Sequence, residues 1–322
     1  VWVHDPDKEG RDAGEICGTS PVGVTTTRDA DALIALAPDC VCYTPTGESR
    51  PDGCIDDLCL MLSRGIDVVT TSVPGLVHPP AYGEAQVQRL ETACQEGGAS
   101  LYASGVEPGF AGDQLVLTLA TLCHRIDTVR TQEIFSYADY PVPFTIFDVF
   151  GFGKAPEHRC IMELPGVQAS SWAPPVRMVA DHLGAEIQIR ETYEKRVTER
   201  RLEVAAGVIE PGTVGAVRFE TIGVVDGRDA IVIEHVNRMA DDLAPDWPAA
   251  DRDGTYRILV EGEPSLRCDL SFGREGDVSS QGMIATTMRV VNAIPFVCDA
   301  PPGLVSSMEL PPLLPPAPFA RA

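Results

Sequence analysis

The stretch Ala99-Ser-Leu-Tyr-Ala-Ser-Gly-Val-Glu-Pro-Gly-Phe110 decides the fold. Leu101, Tyr102 and Ala103 predict a short buried strand. Ser104-Gly105 and Glu107-Pro108-Gly109 break it, and a helical pattern starts near Gly112. Strand, glycine break and helix mark the edge of a parallel α/β sheet, where ligands bind outside the carboxyl ends of the strands. A carboxylate at that break can do acid–base work on a bound ligand. By position alone, Glu107 also fits a solvated residue in a tight turn.

Toward the N-terminus the same alternation repeats. The pattern predicts a helix from Asp29 to Ala37, a buried strand Cys40–Tyr43 ending at Thr44-Pro45, and an amphipathic helix from Asp52 to Arg64 with Ile55, Leu58, Cys59 and Leu62 on one face. A strand from Ile66 to Thr70 follows, ending at Thr71-Ser72, and then a helix from Tyr82 to Gln95 stopped by Gly97-Gly98. Such alternation implies right-handed βαβ units. Three successive strand ends carry small residues: Thr44 and Pro45; Thr70, Thr71 and Ser72; Ser104 and Gly105. Small residues in register let a flat ligand lie close to the backbone, so these seven are candidate cofactor contacts. Val1-Trp-Val-His4 reads as a strand end followed by Asp5, the acidic residue that a nucleotide fold places on ribose hydroxyls. Lys8 and Arg11 lie close enough to meet a ribose 2′-phosphate instead. The glycine-rich turn expected about 20 residues before such an acid is not in the sequence. The pattern therefore predicts one further strand and helix ahead of Val1, roughly 30 residues.

Beyond Phe110 the pattern changes. A long apolar helix is expected over Gly112–His124 and a strand over Ile126–Phe135. Phe144, Phe147 and Phe150 recur at helical spacing, which suits core packing or a pocket wall. A helix is expected over Pro174–Leu183. Long alternating strands follow from Ala185 to Val236 and from Tyr256 to Phe272, read as antiparallel hairpins. Met283–Ile294 reads as a closing helix, and Pro311–Pro318 as a loose tail. The fold class is α/β. A Rossmann-type parallel sheet without its first βα unit occupies residues 1–125, and a second α+β domain with an antiparallel or mixed sheet occupies 126–280. Residues 281–322 return to the first domain, and the cleft between the two faces Glu107. His78, Tyr137, Tyr140, Phe144, Phe147 and Trp172 are the expected substrate-pocket residues.

Composition bounds the function. The 322 residues carry a formal net charge of −22, which opposes nucleic acid and anionic membrane surfaces. No apolar run of about 18 residues is present, so no membrane span is expected. Ten cysteines are scattered through mostly apolar runs, with no C-x-x-C pair and no Cys/His cluster at zinc spacing. That usage predicts no metal and a reducing cytoplasm.

Asp12-Ala-Gly-Glu15, the Thr70-Thr71 strand end and Ser104-Gly-Val106 resemble the dihydrodipicolinate reductase group. Ser104-Gly-Val-Glu-Pro-Gly-Phe110, together with Thr286-Thr-Met-Arg-Val-Val-Asn-Ala-Ile-Pro295, is similar to the branch holding 2,4-diaminopentanoate dehydrogenase and the bacterial amine dehydrogenases. The chain departs from that group in two places. The segment Phe135-Ser-Tyr-Ala-Asp-Tyr-Pro-Val-Pro143 lacks the His-His and Lys-containing signature of true dihydrodipicolinate reductases. Ser72-Val-Pro-Gly75 stands where the amine dehydrogenases carry their catalytic Glu, leaving Glu107, one strand away, as the nearest substitute.

The resemblance implies an NAD(P)-dependent oxidoreductase acting on a C–N bond. It would join a ketone or aldehyde to ammonia, or run the reverse deamination, with Glu107 as the proton-transfer group. The alternatives are reduction of a C=O or C=C bond on the same scaffold, and nucleotide binding without chemistry. The expected partners are a small carbonyl or amine substrate, ammonia, and a second copy in a homodimer.

Overall fold

The computed structural model describes residues 1–251, 254–273 and 278–316. Two short helices, α1 (Ala13–Ile16) and α2 (Ala30–Ala35), open the chain. Asp12 and Asp29 cap them by accepting the Gly14 and Ala32 N–H groups. The expected N-terminal strand is reduced to one parallel bridge between Trp2 and Thr27. The alternation then runs β1 (Cys40–Tyr43), α3 (Pro51–Leu62), β2 (Asp67–Thr70), α4 (Glu84–Gly97), β3 (Ser100–Ala103). These strands pair in parallel in the order β1-β2-β3. Helix α3 turns Cys54, Ile55, Leu58, Met61 and Leu62 inward against β2 and β3.

Helix α5 (Gln114–Ala120) starts at the Asp113 cap and ends four residues before the expected His124. The second sheet is mixed. Its strands are β4 (Arg125–Ser136), β5 (Gln188–Val197), β8 (Val214–Val225), β9 (Arg228–Arg238), β10 (Gly254–Glu263) and β11 (Leu266–Leu270). The small hairpin β6 (Leu202–Val204) and β7 (Gly207–Ile209) stands apart. The order is β11-β10-β4-β9-β8-β5, antiparallel throughout except for the central β4–β9 pair. Within Ala185–Phe272 the pairs β5–β8, β8–β9 and β10–β11 are antiparallel, as expected. The parallel pair arises because β4 enters from the first sheet and takes the centre.

Helix α6 (Val167–Leu183) packs on one face of this sheet and starts seven residues earlier than expected. Pro174 and Pro175 read as a helix start, yet both lie buried inside it. A proline removes an N–H from the helical ladder, so the carbonyls four residues earlier lose their donors.

The chain then returns to the first sheet. Helices α7 (Val278–Val291) and α8 (Ile294–Cys298) bury Val290, Ala293 and Val297 against Val69 and Tyr102. Strand β12 (Gly303–Val305) adds to β3 in parallel. The last residues of the expected tail, from 317 onward, lie outside the described residues.

Candidate active site

The three strand ends do come together, and their hydroxyls serve the backbone. Thr70 Oγ1 donates to the Tyr43 carbonyl at 2.7 Å. Ser72 Oγ donates to the Pro45 carbonyl at 2.7 Å, and Ser104 Oγ to that of Gly109 at 3.2 Å. Thr70 is fully buried. The first two bonds tie the end of β2 to that of β1, and the third ties the loop after β3 to its strand end. Thr71 is half-buried beside them, and Gly105 is buried against Pro108 and Thr286.

A cavity of about 690 Å³ lies along the outer side of β1. It brings together Asp5, Lys8, Thr44 and Pro45, with Tyr43 and Arg50. That volume falls within the range of small-molecule sites. Asp5 lines this cavity, and its Oδ1 accepts the Asp7 N–H at 2.9 Å. Arg11 is exposed and does not line the cavity. Below it, Asp57 gathers Tyr43 Oη (2.6 Å), Arg50 (3.1 Å) and His4 (3.1 Å). Burial is the main influence lowering the His4 pKa. The donors and acceptors at this cavity suit the ribose end of a nucleotide.

A second, more apolar cavity of about 220 Å³ opens at the carboxyl ends of β1 and β2. Ser72, Val73 and Tyr82 line one side; Thr145, Phe150, Met162 and Trp172 line the other. Of the six expected pocket residues, Trp172 reaches it. Phe144 sits at the surface, 36% exposed. Phe147 lies over Gly153 and Gly207. The cause is a π-helical turn over Phe144–Val149, in which the Phe150 N–H bonds the Thr145 carbonyl at 3.0 Å. That wider turn breaks the helical stripe and leaves Phe150 on the wall. Tyr137 and Tyr140 stack on each other with ring centres 5.7 Å apart, and Tyr137 meets Phe150 edge-on behind the wall. His78 is buried elsewhere, its Nε2 2.7 Å from Asp181 Oδ2, tying the loop after β2 to α6.

Glu107 sits partly buried on the loop after β3, near the Asp113 and Glu133 carboxyls. Its loop packs Val106 and Ala111 on Phe135 and Tyr256. Both carboxyl oxygens are closed to solvent, and neither has a hydrogen-bond partner of good geometry among the described residues. The Gly112 main chain lies beside the carboxyl; a Cβ there would stand 2.5 Å from Oε2, so a larger residue would displace it. Burial, then the nearby Asp113 and Glu133 carboxyls, push the Glu107 pKa well up.

The loop is held from three sides. Asp113 accepts the Gly109 N–H (2.8 Å) and Gln114 N–H (2.5 Å). Arg289 of α7 donates to the Gly109 carbonyl (3.2 Å), Tyr102 Oη (3.2 Å) and Gln114 Oε1 (2.6 Å). Gly109 itself has φ +123°, a region that favours glycine.

Glu133 on β4 is the residue the sequence reading missed. It is buried, and its Oε1 accepts Tyr137 Oη at 2.7 Å and Asn237 Nδ2 at 3.3 Å. His235 Nε2 stands 3.9 Å from Oε2, too far for a hydrogen bond. Burial holds the His235 pKa down, so the ring is neutral. His235 stacks on Phe219 at 4.3 Å and meets Trp172 edge-on at 4.8 Å. His235 Nδ1, Asn237 Oδ1 and Trp172 Nε1 are buried without partners among the described residues. No group of three His, Cys, Asp or Glu side chains among those residues is placed to hold a metal ion. No helix there is long and apolar enough to cross a membrane.

Comparison with known proteins agrees with this architecture. Residues 110–317 match the family described as the 2,4-diaminopentanoate dehydrogenase C-terminal domain. Over 321 residues the chain is 37% identical to an amine dehydrogenase of Streptomyces virginiae, covering 97% of this chain and 88% of that protein. It is 22% identical over 260 residues to the 2,4-diaminopentanoate dehydrogenase of Acetoanaerobium sticklandii, covering 80% of this chain and 69% of the relative. The fold matches the solved amine dehydrogenase of Mycobacterium smegmatis with a TM-score of 0.76 at 22% identity, covering 99% of this chain and 90% of that one.

Proposed function

The chain belongs to the family of amine dehydrogenases and 2,4-diaminopentanoate dehydrogenases, and from that premise we propose that it interconverts a small carbonyl compound plus ammonia with the corresponding amine, using Glu107 to carry the proton. The family makes it an oxidoreductase acting on a C–N group. One observation carries the proton assignment: Glu107 is a buried, unpartnered carboxyl at the edge of the parallel sheet, behind an apolar cavity.

A nicotinamide cofactor, when bound, supplies or accepts the hydride at the carbon bearing nitrogen. Asp5 at the rim of the larger cavity is placed to accept from ribose hydroxyls, with Lys8 nearby for a 2′-phosphate. Phe150, Met162 and Trp172 keep the smaller cavity poor in water, which favours an uncharged carbonyl or imine over its hydrate. Addition of ammonia to the carbonyl gives a carbinolamine. Loss of its hydroxyl as water needs a proton, and release of the attacking ammonia from ammonium needs a base. A carboxyl tuned toward neutrality serves both. Neither Glu107 oxygen is exposed or among the residues lining the cavity, so proton transfer to a bound substrate requires its loop to shift toward the cavity.

The sheet face turned away from α6 carries Arg130, Arg218, Glu220 and Glu234 in one ion-pair network. Its balanced charge on an acidic chain suits pairing with a second copy. Ten free thiols suit a reducing cytoplasm.

The test is NAD(P)H consumption with a panel of ketones and aldehydes, with and without ammonium. Glu107→Gln is expected to lower ammonia-dependent turnover by about two orders of magnitude or more. Unchanged turnover would remove Glu107 from the chemistry.

A further inference from the structure

Helix α6 breaks its own hydrogen-bond ladder beside the smaller cavity. Pro174 and Pro175 lie inside it and carry no N–H, so the carbonyls of Ser170 and Ser171, four residues earlier, have no donor from the next turn. Among the described residues, no main-chain group of another element donates to either one. Both serines line the cavity, Ser170 exposed at its mouth and Ser171 half-buried. The Ser170 hydroxyl is turned back on its own helix, donating to the Val167 carbonyl at 2.7 Å. The Ser170 carbonyl oxygen faces the loop after β2, where a Cβ on Gly75 would stand 2.4 Å from it. Gly75 lines the same cavity, so this oxygen belongs to the cavity side of α6.

Main-chain carbonyls accept hydrogen bonds and donate none, so a carboxylate or phosphate gains nothing from them. Consecutive carbonyls of a helix lie side by side. One nitrogen carrying two or more N–H groups serves both at once, whereas a hydroxyl has a single proton to give. The wall of Phe150, Met162 and Trp172 supplies no carboxylate to compete for an incoming N–H. The formal net charge of −22 draws ammonium ions toward the chain. We infer that the Ser170 and Ser171 carbonyls bind the nitrogen of the substrate, accepting N–H groups from ammonia or a primary amine. This site rests on the reading of the smaller cavity as the place of amine chemistry, yet its binding is measured without turnover.

Proline is the residue a helix interior tolerates least, and both of these are buried. Pro174→Ala returns an N–H to the Ser170 carbonyl, and Pro175→Ala returns one to that of Ser171. Each returned donor turns its oxygen back along the helix axis and occupies it. The fold then gains a ladder hydrogen bond while the cavity loses an acceptor. Stability and amine affinity move in opposite directions, which separates a binding role from a structural one.

The experiment is titration calorimetry of n-butylamine and of n-butanol, with no cofactor added, on wild type, Pro174→Ala and Pro175→Ala. Butanol carries the same apolar chain with one donor hydrogen. Wild type is expected to bind butylamine more tightly than butanol. In each variant butylamine binding is expected to weaken about tenfold or more, as when a hydrogen bond to a charged group is lost, with butanol within about twofold of wild type. The thermal midpoint is expected to equal or exceed that of wild type. In the ammonia-dependent assay, KM for ammonium is expected to rise with the butylamine dissociation constant while KM for NAD(P)H stays unchanged. Butylamine binding that holds in both variants, or that weakens by the same factor as butanol binding, overturns the site. So does a wild type that binds butylamine no more tightly than butanol. If both proline variants fail to fold, Gly75→Ala decides alone, because its Cβ covers the Ser170 oxygen. Butylamine weakened relative to butanol then supports the site, and an unchanged ratio overturns it. Should butylamine behave as expected while no carbonyl compound turns over with ammonia, the nitrogen site stands and the ammonia-dependent reaction falls.

Discussion

Two neighbourhoods of the molecule treat their buried polar groups in opposite ways. At the ends of β1, β2 and β3, the hydroxyls of Thr70, Ser72 and Ser104 each reach a main-chain carbonyl. At and around the cavity wall, Glu107, Trp172, His235 and Asn237 bury polar atoms that have no partner among the described residues. A satisfied buried hydroxyl is architecture. An unsatisfied one costs about 1–3 kcal/mol, and four residues bearing that cost in one neighbourhood mark where a ligand or a proton is handled. The strand-end hydroxyls, which look in the sequence like a nucleotide floor, instead hold that floor together.

The largest break in this contrast is expected at Glu107. Removing its charge through Glu107→Gln should cost about two orders of magnitude in turnover and yet leave the fold more stable at alkaline pH. The sign follows from linkage: the folded-state pKa lies above the ordinary glutamate value of 4.5. The stability of the protonated form is fully present below that value and is lost as pH rises through the raised one. Thermal melting from pH 4 to 9 should show the variant matching wild type at the acid end and exceeding it above neutrality.

A smaller effect of opposite kind is expected at Thr70. Thr70→Val keeps the shape and removes the bond to the Tyr43 carbonyl, so urea unfolding should show a loss of about 1–2 kcal/mol. At the cofactor cavity, Asp5→Ser removes one charged acceptor at the rim. The ratio of kcat/KM for NADPH over NADH should rise about tenfold, and an unchanged ratio would move ribose recognition away from Asp5.

Much of the parallel sheet was legible. Cys40–Tyr43 was read to the residue, and β2 and β3 within a residue of each end, because four-residue apolar runs between turn signals leave little freedom. What failed had physical causes. Pro174-Pro175 looks like a helix start in isolation, and only packing shows it buried mid-helix. Gly303–Val305 is too short to show any period, and its partner β3 lies some two hundred residues earlier in the chain. The π turn at Phe144–Val149 cannot be told from an α turn by spacing, so the pocket wall was placed on Phe144 and Phe147 instead of Phe150. Glu133 and His235 sit in alternating strands where a polar residue reads as solvent-facing. Their neighbourhood exists only through the β4–β9 register, which links positions about a hundred residues apart.

The most direct test of the contrast is a single assay run on two variants: kcat for ammonia-dependent NAD(P)H oxidation by Glu107→Gln and by Thr70→Val, at a temperature where both are folded. The account predicts a loss of about a hundredfold or more in Glu107→Gln, with Thr70→Val within a few-fold of wild type. Equal losses in the two, or a greater loss in Thr70→Val, would contradict it.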